Sequence, residues 1–516
     1  MTAAGVAANL GGIALVMLPG LGVTELLVPL RRLPWLRRLG YAYLTGVGAL
    51  GGTLFAVSHL GGVPLRRPAI IVAALAPAAL GLAAALARRR LAVGNPDAVA
   101  PRTRPAAENA AAVVVAAVVA APENRTAAGV VPAAPGIGRR LRVVAALATA
   151  VVLAGPLISA LTGPLADWDG RMTWSPLAAY LRHEGTVDAE VLRDAHWLVL
   201  HPRYPPLLPL AQAAVQEALG AGQDEQFFRA LYVAFLGALL VMVYDGARRA
   251  AGRWPAKLTT LCACLPPFFS YGGGGATSAY NDLPLAALYG GAVVLLLAYR
   301  PRPLTGLAAG CLLAAVLLTK NEGVLLAAAA ILLAASRLWR RRRGSRRPAA
   351  TGRHLAWLAA TALPVLAAAA LLAAWRAAIP NRGDDDYFAS LGLGELLHGA
   401  VSRLPLISRA VLRLSFSPAA WLGFWAVFLV VVLAGRQALA RPVVRRMLIA
   451  GLVPLIIGCA AYTVSSRPAE LIDETWPRFL VQAFVPLAVV FASALAPMLR
   501  QVVARRRPSA PWAPSP

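Results

Sequence analysis

Asp167 and Asp169 stand one residue apart, after a long apolar run from Val143 to Leu161, and Trp168 and Trp174 flank them. Ionised groups beside a bilayer are disfavoured unless solvated or paired, so two carboxylates at the mouth of an apolar run point to function. One can act as general base on a hydroxyl while the other orients it, and together they could gather a divalent cation. On an extended segment residues i and i+2 share a face, which would aim both into one cleft. The plainer role is a solvated turn or helix cap, with the tryptophans as interfacial anchors.

Further polar stretches interrupt the apolar pattern. In His201-Pro202-Arg203-Tyr204-Pro205-Pro206 the prolines stiffen the backbone. A rigid loop carrying His201, Arg203 and Tyr204 suits a polar ligand, or simply leads into a membrane helix. Gly272–Gly275 lets backbone approach a ligand but lacks the Gly-Lys-Ser/Thr of a phosphate loop. Asp282 then opens the next apolar run, either as a helix cap or lining the cleft. Lys320, one of two lysines in the chain, sits with Glu322 between apolar runs, where its ammonium can attract a phosphate. A Lys320–Glu322 pair is the bland alternative. Asp384-Asp385-Asp386 reads as a solvated charge run. Arg478 follows Glu470, Asp473 and Glu474 and enters the last apolar run, where it could meet a lipid-linked phosphate. Glu25, inside the first run, is expected to be paired or snorkelling.

The elements that must position these groups are membrane helices. The chain has 516 residues, 59% of them hydrophobic and 14% charged, against about 25% charged in soluble domains. Apolar runs near 5–30, 40–63, 68–87, 141–163, 227–245, 257–272, 282–299, 303–319, 323–338, 355–375, 418–434, 447–465 and 478–498 predict an all-α, polytopic transmembrane helical bundle of about 11–14 spans. Residues 1–90 read as N-terminal accessory transmembrane helices and 91–138 as a flexible cytoplasmic linker rich in proline. Residues 139–500 read as the core and 501–516 as a basic, proline-rich cytoplasmic tail. In the large loop after the fourth run, Ser175-Pro176 and Thr186 can each start a short helix. Tyr180, Leu192, Trp197 and Leu198 would make the apolar faces of helices lying on the membrane. Cys262, Cys264, Cys311 and Cys459 all lie in apolar runs, which argues packing rather than disulfides or a thiolate metal site. No basic segment precedes the first run, so no cleaved signal peptide is expected.

Charge orients the bundle. If the spans alternate, one side holds 35 Lys/Arg and 4 Asp/Glu, the other 15 Lys/Arg and 18 Asp/Glu. The net charge of +27 thus lies in short arginine clusters facing anionic lipid rather than in a nucleic-acid site. The N-terminus is expected outside, the C-terminus in the cytoplasm, and every polar motif above outside; Arg66 and Arg67 are the main exceptions. Motifs from separate loops gathered on one surface suggest a single site.

Asp167-Trp168-Asp169, His201–Pro206, Ser278-Ala279-Tyr280-Asn281-Asp282-Leu283-Pro284, Thr319–Gly323 and Arg478-Phe479-Leu480 together resemble bacterial membrane glycosyltransferases of the GT-C superfamily. The relatives in view are the protein O-mannosyltransferases and lipid A aminoarabinose transferases. The resemblance covers roughly 141–498. It implies a shared transmembrane core, a polyprenyl-phosphate-linked sugar donor and an envelope glycan, lipid or protein as acceptor, in a bacterial plasma membrane. It makes Asp169 the first choice for the essential base of the first outer loop, with Asp167 second, and Lys320 and Arg478 donor-phosphate contacts. That loop here reads Asp-Trp-Asp, not the Asp-Glu of the O-mannosyltransferases. No large C-terminal soluble domain is evident, so a protein acceptor is the least supported. A transporter or flippase would place its ionisable groups near the midplane, and an envelope scaffold would leave the outer loops apart. Convergence of the motifs decides between them.

Overall fold

In lipid an apolar chain satisfies its backbone polar groups only by closing each segment on itself as a helix or by closing a barrel. This chain takes the first route. The computed structural model describes residues 3–93, 135–194, 196–197, 201–220, 228–342, 348–380, 393–465 and 467–505, which contain helices and no strand. Most of the 91–138 linker, the Asp384–Asp386 run and the end of the basic tail lie outside the described residues.

The principal helices are α1 (Ala3–Leu26), α2 (Trp35–Gly61), α3 (Arg67–Val93), α4 (Pro135–Thr162), α5 (Ser175–Glu184), α6 (Leu207–Leu219), α7 (Ala230–Ala251), α8 (Arg253–Ala263), α9 (Asp282–Ala298) and α10 (Pro303–Leu317). They continue with α11 (Gly323–Arg342), α12 (Pro348–Ala377), α13 (Leu393–Ser415), α14 (Phe424–Ala434), α15 (Pro442–Val464) and α16 (Pro468–Arg505). Among the described residues seven helices are long and apolar enough to cross a membrane (α1, α2, α3, α7, α12, α15 and α16), and α4, α9, α10, α11 and α14 contribute shorter apolar segments. The protein is a multi-pass helical membrane bundle.

α9 is the axis. From Asp282 to Leu297 all its residues are buried, and α7 and α16 pack beside it. Its continuous apolar sequence follows from that position, since a helix enclosed on every side needs no polar stripe. Small residues draw neighbours close: a Cβ on Gly310 would meet the Thr361 carbonyl oxygen at 2.4 Å, so α10 and α12 touch backbone to backbone. The N-terminal helices are not set apart by packing. Tyr41, Leu44, Val47 and Leu50 of α2 belong to the same hydrophobic core as α7 and α9, and Tyr43 donates to the Leu231 carbonyl at 2.6 Å.

The first large loop differs from its predicted form. α5 starts at Ser175 with Pro176 in its first turn, as expected. Thr186 starts no helix; its hydroxyl accepts from the Asp188 amide, and a 3-10 turn follows at Glu190–Arg193. Of the residues expected on the outward apolar faces, Leu192 is buried in the core and Tyr180 partly buried against it, because the loop folds onto α2 and α12, while Trp197 is 38% exposed and Leu198 lies outside the described residues. Trp375 donates to the Val187 carbonyl at 2.9 Å and His59 Nδ1 lies 3.0 Å from Asp188. α6 also departs from the polar reading of this region. Its 13 residues reach roughly 20 Å, too short to cross, yet Leu207, Leu208, Leu210, Ala211 and Val215 are fully enclosed.

The two ends of the bundle are built differently. At the arginine-rich end Asp245 of α7 is fully enclosed and takes Arg37 at 2.6 Å, Tyr299 at 2.6 Å and Tyr41 at 3.2 Å, with Arg249 at 3.3 Å. Arginines also close helix C-termini, whose last carbonyls have no partner within the helix. Arg337 donates to carbonyls of Leu296 and Tyr299 below α9, and Arg441 to Ala250 below α7. Glu25 is paired as expected, with Arg38 and Arg88.

Asp245→Asn strands the buried Arg37 and should cost about 3–5 kcal/mol. Glu25→Gln, at a site only partly buried (the side chain is 19% exposed), should cost less, about 1 kcal/mol. Thermal unfolding midpoints of the two variants in detergent check the order.

Candidate functional site

The end opposite the Asp245 cluster collects charge from four separate stretches. The turn between α10 and α11 brings Lys320 and Glu322, the start of α9 brings Asp282, the first turns of α16 bring Arg478, and the segment after α4 brings Asp169. Lys320 Nζ lies 2.9 Å from Asp282 Oδ1 and 2.9 Å from Glu322 Oε1. Arg478 donates from Nε to Asp282 Oδ2 at 2.8 Å, and its Nη2 lies 2.9 Å from Asp169 Oδ2. Asp282 is thus the shared counter-ion of both cations. It does not serve as a helix cap, the plainer role it could have had.

Burial grades across the cluster. The Asp282 side chain is 0% exposed, Lys320 7%, Arg478 12%, Glu322 14% and Asp169 29%. Three carboxylates against two cations leave one net negative charge, carried toward the exposed Asp169 edge. Burial opposes the charge on Lys320, but Asp282 and Glu322 outweigh it and hold its pKa above the ordinary lysine value. Lys320 therefore stays protonated at physiological pH.

The loop before α9 is shaped to admit this network. Gly274 takes φ +100, and a Cβ there would lie 3.1 Å from the Arg478 side chain and 3.5 Å from Asp282 Cβ. The Ser278 hydroxyl ties the loop by accepting from the Gly274 amide at 3.0 Å and donating to the Gly275 carbonyl at 2.9 Å. Tyr280 then joins two partners: its hydroxyl accepts from the Asp169 amide at 2.9 Å, and the Arg478 guanidinium lies 4.8 Å above its ring. Burial first, and the Asp169 charge second, push the Tyr280 pKa up to about 12.

Asp167 and Asp169 do not share a face. The segment is helical from Trp168 onward, with Asp169 at φ −60 and ψ −38, and the Arg171 amide bonds the Asp167 carbonyl. In a helix, neighbours two apart diverge, so Asp169 reaches Arg478 while Asp167 faces Arg229. Burial raises the Asp167 pKa, and the Arg229 charge partly offsets it. Among the described residues no group of three His, Cys, Asp or Glu side chains could hold a metal ion. With Asp282 bound to two cations and the two loop aspartates apart, this donor set does not fit a divalent cation, and no step is assigned to one.

His201, Arg203 and Tyr204 form a second layer beside the cluster. His201 stands at φ +47, and Tyr204 packs its ring 5.0 Å from His201 and 5.5 Å from Trp174. Arg376, at the end of α12, fastens this layer: its Nε donates to the Arg203 carbonyl at 2.9 Å and its Nη2 to the Asn321 side chain. Glu470 and Asp473 stay on the surface, paired with Arg467 and Arg413.

Sequence reasoning did not single out Gln482 or Arg376. Gln482 donates to Asp282 at 2.8 Å and to Glu322 at 3.4 Å, and its carbonyl oxygen is buried with no donor. It lies four residues after Arg478, hence on the same helix face, which was a usable signal. Asn281, which donates to the Thr319 carbonyl at 3.2 Å, likewise has a buried side-chain oxygen with no donor. Asn281 and Gln482 thus leave two enclosed acceptor oxygens without a donor.

Asp282→Asn removes the charge that both cations share and should lower stability by about 3–5 kcal/mol. Glu322→Gln leaves Lys320 its closer-buried partner and should cost clearly less; thermal unfolding in detergent ranks the pair. Compared with protein-family models, curated proteins and solved structures, the chain matches none.

Proposed function

We propose that the chain is an integral-membrane glycosyltransferase of the GT-C kind. It would move a sugar from a polyprenyl-phosphate donor to a hydroxyl of an envelope acceptor, at the outer face of a bacterial plasma membrane. The observation that carries this reading is the convergence of Asp169, Asp282, Lys320, Glu322 and Arg478 at the end of the bundle away from the arginine clusters. The positive-inside rule makes the arginine end cytoplasmic, so the C-terminus is inside, the N-terminus outside and the cluster external. A lipid-borne donor suits that location, since an isoprenoid chain lies in the bilayer and presents its phosphate at the interface.

Each residue has a task in the proposed reaction. Asp169, the most exposed carboxylate of the cluster, takes the proton of the acceptor hydroxyl as its oxygen attacks the anomeric carbon. The bond from that carbon to the donor phosphate oxygen breaks on the opposite face, so configuration inverts. The bonding pair leaves with the phosphate, whose charge Arg478 and Lys320 stabilise. Asp282 keeps both cations in place. Gln482 braces Asp282 and Glu322, and His201, Arg203 and Tyr204 wall the acceptor side. A transporter needs its charges along a path through the membrane. This cluster sits at helix ends, which favours the enzyme.

Asp169→Asn should lower transfer from radiolabelled polyprenyl-phosphate sugar by about 10²–10⁴-fold in membranes where the protein is inserted normally. Asp167→Asn should retain most of it. Gly170→Ala should also lose transfer, because the new Cβ would lie 2.1 Å from the Ser278 carbonyl oxygen and shift Asp169 off Arg478. Turnover by Asp169→Asn equal to that of wild type would remove Asp169 from the mechanism.

A further inference from the structure

We propose that the Asp169–Arg478 ion pair is a latch worked by the donor: an incoming phosphate takes the guanidinium nitrogen that Asp169 holds and so frees Asp169 to act as base. The proposal rests on the reading above, in which Arg478 receives the phosphate and Asp169 the proton.

The two bonds of Arg478 differ in kind. Its Nε is committed to Asp282, which is 0% exposed and anchored in turn by Lys320 and Gln482. Its Nη2 bonds Asp169, which is 29% exposed and stands on the short helical turn after α4. Breaking the first bond would leave a buried carboxylate short of charge, whereas breaking the second returns Asp169 to water at small cost. Lys320 offers no comparable opening, since both its carboxylate partners are more enclosed than Asp169. A phosphate approaching this cluster therefore meets the cation edge occupied by Asp169 first, and guanidinium binds phosphate oxygens at least as well as carboxylate.

The same pair makes the unliganded protein inert. A carboxylate oxygen engaged by the Arg478 guanidinium at 2.9 Å is not free to meet an acceptor hydroxyl. Displacement by phosphate removes that hold only when a donor is present, which protects the donor site from idle hydrolysis. Tyr280 keeps the release local. Its hydroxyl holds the Asp169 backbone amide at 2.9 Å while its ring underlies Arg478 at 4.8 Å, so the Asp169 side chain can turn away without opening the loop.

The test is equilibrium binding of farnesyl phosphate and of inorganic phosphate to the full chain in detergent. Asp169→Asn removes the competitor and should bind both probes about tenfold tighter than wild type, equivalent to ~1.4 kcal/mol. Asp169→Glu keeps the competing charge and should stay near wild type. Tyr280→Phe loosens the latch without changing charge and should tighten binding about two- to threefold, which keeps the test decisive if Asp169→Asn folds poorly. Arg478→Gln should lose binding. Equal or weaker binding by both Asp169→Asn and Tyr280→Phe overturns the latch and leaves the donor site standing. A ranking seen with farnesyl phosphate but not with inorganic phosphate also overturns it, because the chain rather than the charge would then displace Asp169. Retained binding by Arg478→Gln overturns the donor site and the latch together.

Discussion

Asp282 carries a charge at the head of a helix enclosed along nearly its whole length, and that charge has to be matched. A carboxylate at 0% exposure is tolerable only when paired and fully bonded. Its partners come from two other places in the chain, the turn between α10 and α11 and the start of α16, with Gln482 one helical turn further on. α9, α10, α11 and α16 therefore cannot slide against one another without stranding one of three buried ions. The constraint that stabilises this end of the bundle is also what leaves Arg478 pointing at Asp169.

The opposite end obeys the same rule with a different result. Asp245 is as enclosed as Asp282, but Arg37, Arg249, Tyr41 and Tyr299, from α2, α7 and the end of α9, surround it. This reads as a structural clamp joining α2, α7 and the end of α9. At the Asp282 end the network instead reaches the surface through a partly exposed carboxylate and leaves acceptors on Gln482 and Asn281 open. The contrast between a closed network and an open one is why chemistry is assigned to one end only.

The proposed transfer uses this openness. A base and a phosphate-binding cation must lie within one ligand's reach. They must also lie where a lipid-borne donor can present its phosphate. The gradient of exposure from Asp282 outward to Asp169 supplies that order, with the enclosed charge inside and the more exposed one outside.

Much of this was legible in the residues. Mean hydropathy of +0.64 and apolar runs of helical length determined a multi-pass bundle, because lipid leaves the backbone few other options. Arginine clusters separated the two ends, and the isolated Lys320, the Arg478 at the head of an apolar run and Asp282 marked themselves as costly in a membrane. What the sequence could not determine was pairing. Nothing local says that Asp282 and not Glu322 alone answers Lys320, that Asp169 and Asp167 diverge on a helical turn, or that Leu192 and α6 fold inward. Those outcomes depend on which surfaces remain to cover the ends of α2 and α12 away from Asp245. Asp245 shows the limit most clearly: in sequence it is one acid beside an arginine cluster, and only tertiary packing encloses it, because burial belongs to the assembled helices and not to any one of them.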